Sequence, residues 1–344
     1  MQSYNIHSCR RGIHYNHFKG EHLVKQLFMV GPRQSVIKDV PDLKAAPGTV
    51  LIRVKYTGLC MSDWHPWAEA QEGLTLGHEP LGTVVEVGEG VTRFKVGDKV
   101  TGMACTPTYA EYCLMREELT LPVPKELADE DALGEPLGCL VSAASKMKPR
   151  KVGDTVVVVG TGYMGLGMVS LFRLHGAAKV IAIDPREEAR ENALRMGATT
   201  VYHPDEIPDE YRFTDFVVGG GVAKTGFPLV QEFAGTESAL RLAGDLTGIS
   251  GTLGIGGWHQ GGDRTLDIRQ WGWKGLTVIN THERDALYQI ACAKNALDML
   301  VSGMWNFKGM VRNVYGLDEF DKANTDMEIM PRGFIKGVVR CTDY

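Results

Sequence analysis

No CxxC pair occurs in the 344 residues, and the seven cysteines (Cys9, Cys60, Cys105, Cys113, Cys139, Cys292 and Cys341) are odd in number and scattered. That argues against a disulfide framework and for reduced thiols in a cytoplasmic protein. No apolar run approaches the roughly 20 residues of a membrane span. The N-terminus carries charges and histidines but no apolar stretch of the secretory kind, so no signal peptide or membrane partner is expected. Positive charge is not in excess either: the formal net charge is -5, which leaves no basic footprint for nucleic acid. What is present is ordinary for a globular chain, with 44% hydrophobic and 23% charged residues. The length exceeds one typical core and implies two domains. The 41 glycines sit at strand ends and turns, not in low-complexity runs.

Residues 1–22 are polar and histidine-rich without periodicity, and read as an extended arm. From Val24, short β-rich runs broken by Gly and Pro follow one another, among them Thr49–Cys60, Pro80–Gly88, Asp98–Met103 and Thr108–Met115. Several short strands with glycine turns imply a small, strongly bent barrel. A helix is expected to start near Glu135, with acidic residues in its first turn. From 151 the pattern changes to alternating strands and helices, the signature of a doubly wound parallel sheet. Residues 204–226 read as a surface insertion. From about Asn295 a helix, a strand, a helix and a last strand return to the first domain. The expected division is an arm at 1–22, a barrel domain at 23–150 and 295–344, and a nucleotide domain at 151–294.

A lone GxGxxG carries little weight, but here its context is complete. The apolar strand Thr155–Val159 runs into Gly160-Thr161-Gly162-Tyr163-Met164-Gly165, a helix follows, and a second strand ends at Asp184. That acid lies at the expected offset of about 20 residues. Gly160 permits the tight turn, Gly162 lets the backbone approach a pyrophosphate, and Gly165 lets the helix pack on the sheet. The helix N-terminus then presents free N–H groups to phosphate. Asp184 suits the two ribose hydroxyls of NAD and repels a 2′-phosphate, whereas Arg186, two residues on, favours one.

A second cluster occupies Cys60-Met61-Ser62-Asp63-Trp64-His65 and Gly77-His78-Glu79. Cys60 and His78 are ligand types for zinc, and Glu79, Asp63, Ser62 and His65 supply supporting chemistry. A catalytic zinc takes three protein ligands and keeps one position open. Glu135 is the expected third ligand, with Cys139, four residues on, as its competitor.

These residues carry a resemblance. The segments GLCMSDWH, LGHEPLGTVVEVGEGV, FKVGDKV, EPLGC and VVVVGTGYMG resemble, in order and spacing, the zinc-dependent medium-chain dehydrogenases of the alcohol and polyol dehydrogenase superfamily. The match runs from about Val24 to Arg340. It implies an α/β protein with a GroES-like β-barrel catalytic domain and a Rossmann domain. By the same resemblance, Cys60 and His78 are zinc ligands, and Glu79 is an acid able to enter the coordination sphere. Ser62 holds the substrate oxygen, His65 ends a proton relay, and Asp63 orients the ligand histidine. Glu135 stands where the sorbitol-type branch has glutamate. Cys105 and Cys113 are too few for the family's four-cysteine structural site, so one catalytic zinc is expected. A homodimer or homotetramer through the Rossmann sheet edge is also implied.

The expected reaction is hydride transfer between NAD and a secondary alcohol or ketone, with a polyol, sugar or (amino)cyclitol as substrate. Trp64, Trp67, Trp258 and His259 are candidate pocket residues. His282, Glu283 and Arg284 are expected at an interface edge. Three other readings remain open at this point: a zinc-free reductase of activated double bonds, a non-catalytic NAD-binding scaffold, and a redox-neutral enzyme with tightly held NAD.

Overall fold

The computed structural model describes residues 22–212 and 226–343. Most of the expected arm and the centre of the 204–226 tract lie outside the described residues. In chain order the strands and helices are β1 Leu23–Gly31, β2 Gln34–Pro41, β3 Thr49–Gly58, α1 Met61–Ala68, β4 Pro80–Val87, β5 Lys99–Ala104, β6 Tyr112–Pro122 and α2 Gly134–Lys146. Next come β7 Thr155–Val159, α3 Tyr163–Leu174, β8 Lys179–Ile183, α4 Glu187–Arg195, β9 Thr200–Tyr202, β10 Phe227–Glu232, α5 Glu237–Leu246 and β11 Thr247–Ile255. The chain ends with α6 Ile268–Lys274, β12 Thr277–Asn280, α7 Ala286–Ser302, β13 Val311–Gly316, α8 Phe320–Ile329 and β14 Lys336–Arg340. No helix among the described residues is long and apolar enough to cross a membrane.

The chain divides into two compact units. One comprises the described residues up to Gly138, Asp285–Val301 and the segment from Lys308 onward; the other comprises Cys139–Arg284 and Ser302–Phe307. The first unit holds a six-stranded sheet in the order β13-β14-β3-β4-β5-β6, and an additional β3–β6 pairing bends it back on itself. This is the GroES-like barrel. Strand β3 is buried along nearly its whole length because it pairs with β4, β6 and β14. Its inward residues Val50, Ile52 and Val54 join Leu27, Val84 and Phe320 in one core.

The second unit is a Rossmann sheet in the order β12-β11-β10-β7-β8-β9, all of its pairings parallel. The order reverses between β7 and β10, the switch point where ligands of such sheets bind outside the carboxyl ends. The run Thr155–Val159 is apolar because a central parallel strand is covered on both faces, and four of its five residues are buried. Val159, Ile183 and Glu232 share one register level at the carboxyl edge.

Helix α7 starts at Ala286, well before the helix expected from Asn295. Asp285 explains the difference: its Oδ1 accepts from the backbone N–H groups of Leu287 and Tyr288, the arrangement of an N-terminal cap.

Candidate functional site

Strand β3 ends at Gly58, and Cys60 stands immediately before α1 with an extended backbone and no side-chain capping bond. Ser62 Oγ lies 3.2 Å from Cys60 Sγ and 3.4 Å from His78 Nε2. The other face of the His78 ring meets Asp63, with Nδ1 3.5 Å from Oδ1. Asp63 is buried, and the Tyr109 hydroxyl lies 3.1 Å from its Oδ2. Burial alone would lower the His78 pKa, but the charges of Asp63 and Cys60 outweigh it and hold the ring well above its ordinary value. Asp63 thus fixes the ring so that Nε2 faces Cys60 and Ser62.

Glu79 completes the group. Ligand atoms of Cys60, His78 and Glu79 all lie within 4.8 Å of one another, the one such group among the described residues. Zinc bonds of about 2.0–2.3 Å place two ligands of a tetrahedral ion about 3.3–3.8 Å apart, so the group closes on an ion with about an ångström of adjustment. The donors are one thiolate, one imidazole and one carboxylate, a set that suits zinc. Glu79 is 1% exposed, and its carboxylate is held by Lys336, whose Nζ donates to Oε1 at 2.9 Å and to the Leu59 carbonyl at 2.6 Å. Burial pushes the Glu79 carboxyl above its ordinary value. The Lys336 ammonium pulls against this, and the Glu135 carboxylate adds to it. Gly58 is what lets Glu79 in: a Cβ there would meet Glu79 Oε2 at 1.8 Å.

The other residues expected at this corner fall outside the group. Glu135 is outside the three-residue group, and its Oε1 accepts from Gln289 Nε2 at 3.0 Å. Cys139 is also outside it. His65 Nε2 lies 3.4 Å from Glu69 Oε2, one helical turn on, and makes no bond to Ser62. Trp64 packs against the barrel core and the Arg33 guanidinium. Trp67 is buried and donates from Nε1 to Asp321 Oδ1 at 2.8 Å, which makes it a packing residue.

The second unit holds the nucleotide turn. Gly160 has φ +87°, a left-handed conformation that favours glycine. A Cβ at Gly165 would lie 1.9 Å from the Gly160 carbonyl, so the helix can approach the turn only with glycine there. At Gly162, by contrast, the nearest atom to a Cβ is Arg186 Nη2 at 4.0 Å. Gly162 precedes α3 and has no side chain to cap it, which leaves the helix N–H groups of Met164 and Gly165 for a ligand. Thr161 Oγ1 is buried with no hydrogen-bond partner. An open glycine, an uncapped helix start and an orphaned hydroxyl fit a dinucleotide phosphate.

Asp184 is buried, and Thr161 N donates to its Oδ2 at 2.9 Å. Its Oδ1 accepts from Arg186 N at 2.9 Å and Nε at 3.1 Å, and Oδ2 accepts from Arg186 Nη2 at 3.2 Å. At the same carboxyl edge, His259 Nε2 lies 3.0 Å from Oε2 of the fully buried Glu232. The Trp258 ring meets His282 edge to face at 5.3 Å. Lys146 Nζ lies 3.2 Å from Glu283 Oε2 and donates to the His282 carbonyl at 2.8 Å. Lys336, Tyr109 and Glu232 were not visible as site residues in the sequence. The one available signal for Lys336 is a lysine at an apolar strand start, Phe334-Ile335-Lys336-Gly337-Val338.

The fold and these groups define a two-unit α/β protein with a thiolate–imidazole–carboxylate metal corner and a dinucleotide turn. Residues 46–125 match the alcohol dehydrogenase GroES-like domain, and residues 151–302 match the zinc-binding dehydrogenase domain. A probable D-xylulose reductase A of Arthroderma otae is 30% identical over 324 residues, covering 83% of this chain and 88% of that protein. A sorbitol dehydrogenase of Halalkalibacterium halodurans is 27% identical over 326 residues, covering 85% and 92%. The crystal structure of 2R,3R-butanediol dehydrogenase from Bacillus subtilis superposes with a TM-score of 0.73 at 26% identity, covering 92% of this chain and 99% of that one. The chain belongs to the zinc-dependent medium-chain dehydrogenase/reductase family and is an oxidoreductase with zinc and a nicotinamide nucleotide as its cofactors.

Proposed function

We propose that this enzyme interconverts a secondary alcohol and a ketone on a polyol, sugar or cyclitol, with NAD as its hydride partner and one zinc ion per chain. The observation that carries the reading is the convergence of Cys60, His78 and Glu79 around the Ser62 hydroxyl. Cys60, His78 and Glu79 would hold the zinc, and Glu135 is the carboxylate that exchanges with Glu79. When bound, zinc polarises the substrate oxygen and the nicotinamide exchanges hydride with the carbon that bears it. Ser62 Oγ binds that oxygen and takes its proton in the oxidation direction. Asp63 and Tyr109 keep the His78 ring aligned. His65, partly exposed beside Glu69, passes the proton to solvent once its ring turns toward Ser62.

A polyhydroxy substrate is supported by the relatives named as xylulose reductase and sorbitol dehydrogenase, and by the polar groups Trp258, His259 and His282 at the carboxyl edge. A nicotinamide nucleotide such as NAD is supported by the glycine turn Gly160–Gly165 and its uncapped helix start. Strand β12 is an edge strand with Val278 exposed, which suits pairing with a second copy in a homodimer or homotetramer. The free cysteines fit a cytoplasmic setting.

Cys60→Ser tests the reading. Expected are loss of bound zinc by metal analysis and loss of alcohol oxidation at 340 nm, with NADH binding by fluorescence retained. Full activity in that variant, or zinc-free wild-type protein with activity on double bonds, would sink it.

A further inference from the structure

The acid at the end of β8 is not free to do what its position suggests. A carboxylate offers about four acceptor sites. At Asp184 four N–H donors already approach them: Thr161 N and Arg186 Nη2 at Oδ2, and Arg186 N and Nε at Oδ1. Its charge is also compensated by the guanidinium in contact with it. The repulsion that normally keeps a 2′-phosphate away from such an acid is therefore largely cancelled.

The guanidinium itself is placed to act in the opposite sense. Arg186 Nη2 is the nearest atom to the open side of Gly162, so the cation borders the phosphate-binding turn. An arginine has five N–H donors, and only Nε and Nη2 are engaged among the described residues. The side chain is 35% exposed, with donors left for a ligand. Asp184 acts as the anchor that presents this fork, and Arg190, which donates to the carbonyls of Asp184 and Pro185, adds a second cation at the same strand end. Glu187 and Glu188 in the first turn of α4 carry the opposite sign and limit the gain.

We propose that Arg186, anchored on Asp184, makes the adenosine ribose subsite accept a 2′-phosphate, so that this enzyme binds NADP(H) on a par with NAD(H). The proposal rests on the nicotinamide reading of the glycine turn and extends it. Arg–phosphate contacts are planar and bidentate, which a lysine ammonium does not reproduce, although it keeps the charge.

The test is fluorescence titration of the zinc-loaded protein with NADH and with NADPH, without substrate, in wild type, Arg186→Ala and Arg186→Lys. The expected wild-type dissociation constants lie within tenfold of each other. In Arg186→Ala the preference moves toward NADH by tenfold or more, and in Arg186→Lys by less than that. NADPH binding more than tenfold weaker than NADH in wild type, or an Ala variant whose ratio moves by less than tenfold, overturns the role of Arg186 and leaves the nicotinamide reading standing. Binding of neither nucleotide to the wild type overturns both.

Discussion

The metal corner and the nucleotide turn are built on opposite principles. The first is made of side chains: Cys60, His78 and Glu79 converge, with buried Asp63 holding His78 and buried Lys336 holding Glu79. The second is made largely of missing side chains: Gly160 and Gly165 let the turn and the helix close on each other, and Gly162 opens the uncapped helix start to a ligand. A side-chain site stores its precision in electrostatic balance, so it fails when one partner goes. A backbone site stores it in close packing, so it fails when an atom is added.

The largest effect is expected from upsetting that balance. Lys336→Met leaves Glu79 charged, buried and without its cation, and should destabilise the protein by about 3–5 kcal/mol in denaturant unfolding. If the loss stays under about 1 kcal/mol, the corner does not depend on the pair.

Next comes a buried titration in the other unit. Burial, reinforced by the cations of Arg284 and Lys146, pushes the His282 pKa down to about 4. The unfolded ring, near 6.5, takes up its proton first. Stability is therefore lost as pH falls from about 6.5 through 4, and is unaffected by this group above that window. His282→Asn should remove about 2–3 kcal/mol of the acid-dependent loss, checked by unfolding at pH 4.5 and 7.5 against wild type. Identical pH slopes for the two proteins would contradict it.

The smallest stability effects separate packing from ligand space within one turn. Gly165→Ala pushes a methyl into the Gly160 carbonyl and should cost about 1–3 kcal/mol together with NADH affinity. Gly162→Ala meets only the Arg186 side chain at 4.0 Å, so stability should stay within about 0.5 kcal/mol while NADH binding weakens tenfold or more. Equal thermal shifts for the two variants would show that the open side of Gly162 is not ligand space.

The nucleotide turn was legible in the sequence because strand, turn, helix and acid are contiguous and their geometry is local. The barrel and the doubly wound sheet were legible for the same reason, through strand runs, turn residues and alternation. The metal corner was half legible: Cys60, Ser62, Asp63, His78 and Glu79 come from two nearby segments, but the choice between Glu79 and Glu135 depends on where α2 lies. The early start of α7 was not legible because its signal, Asp285, directly follows His282, Glu283 and Arg284, which were expected at an interface edge.

The sequence by itself determined the two sheet types, the glycine turn and the identity of the candidate zinc donors, since each follows from spacing along the chain. Tertiary structure alone decided that Lys336, 257 residues from Glu79, neutralises it. It also decided that Tyr109 braces Asp63, and that Arg186 folds back onto Asp184. The physical reason is that a charge is cheap to bury only beside its partner, and the partner is found by chain folding, not by sequence distance.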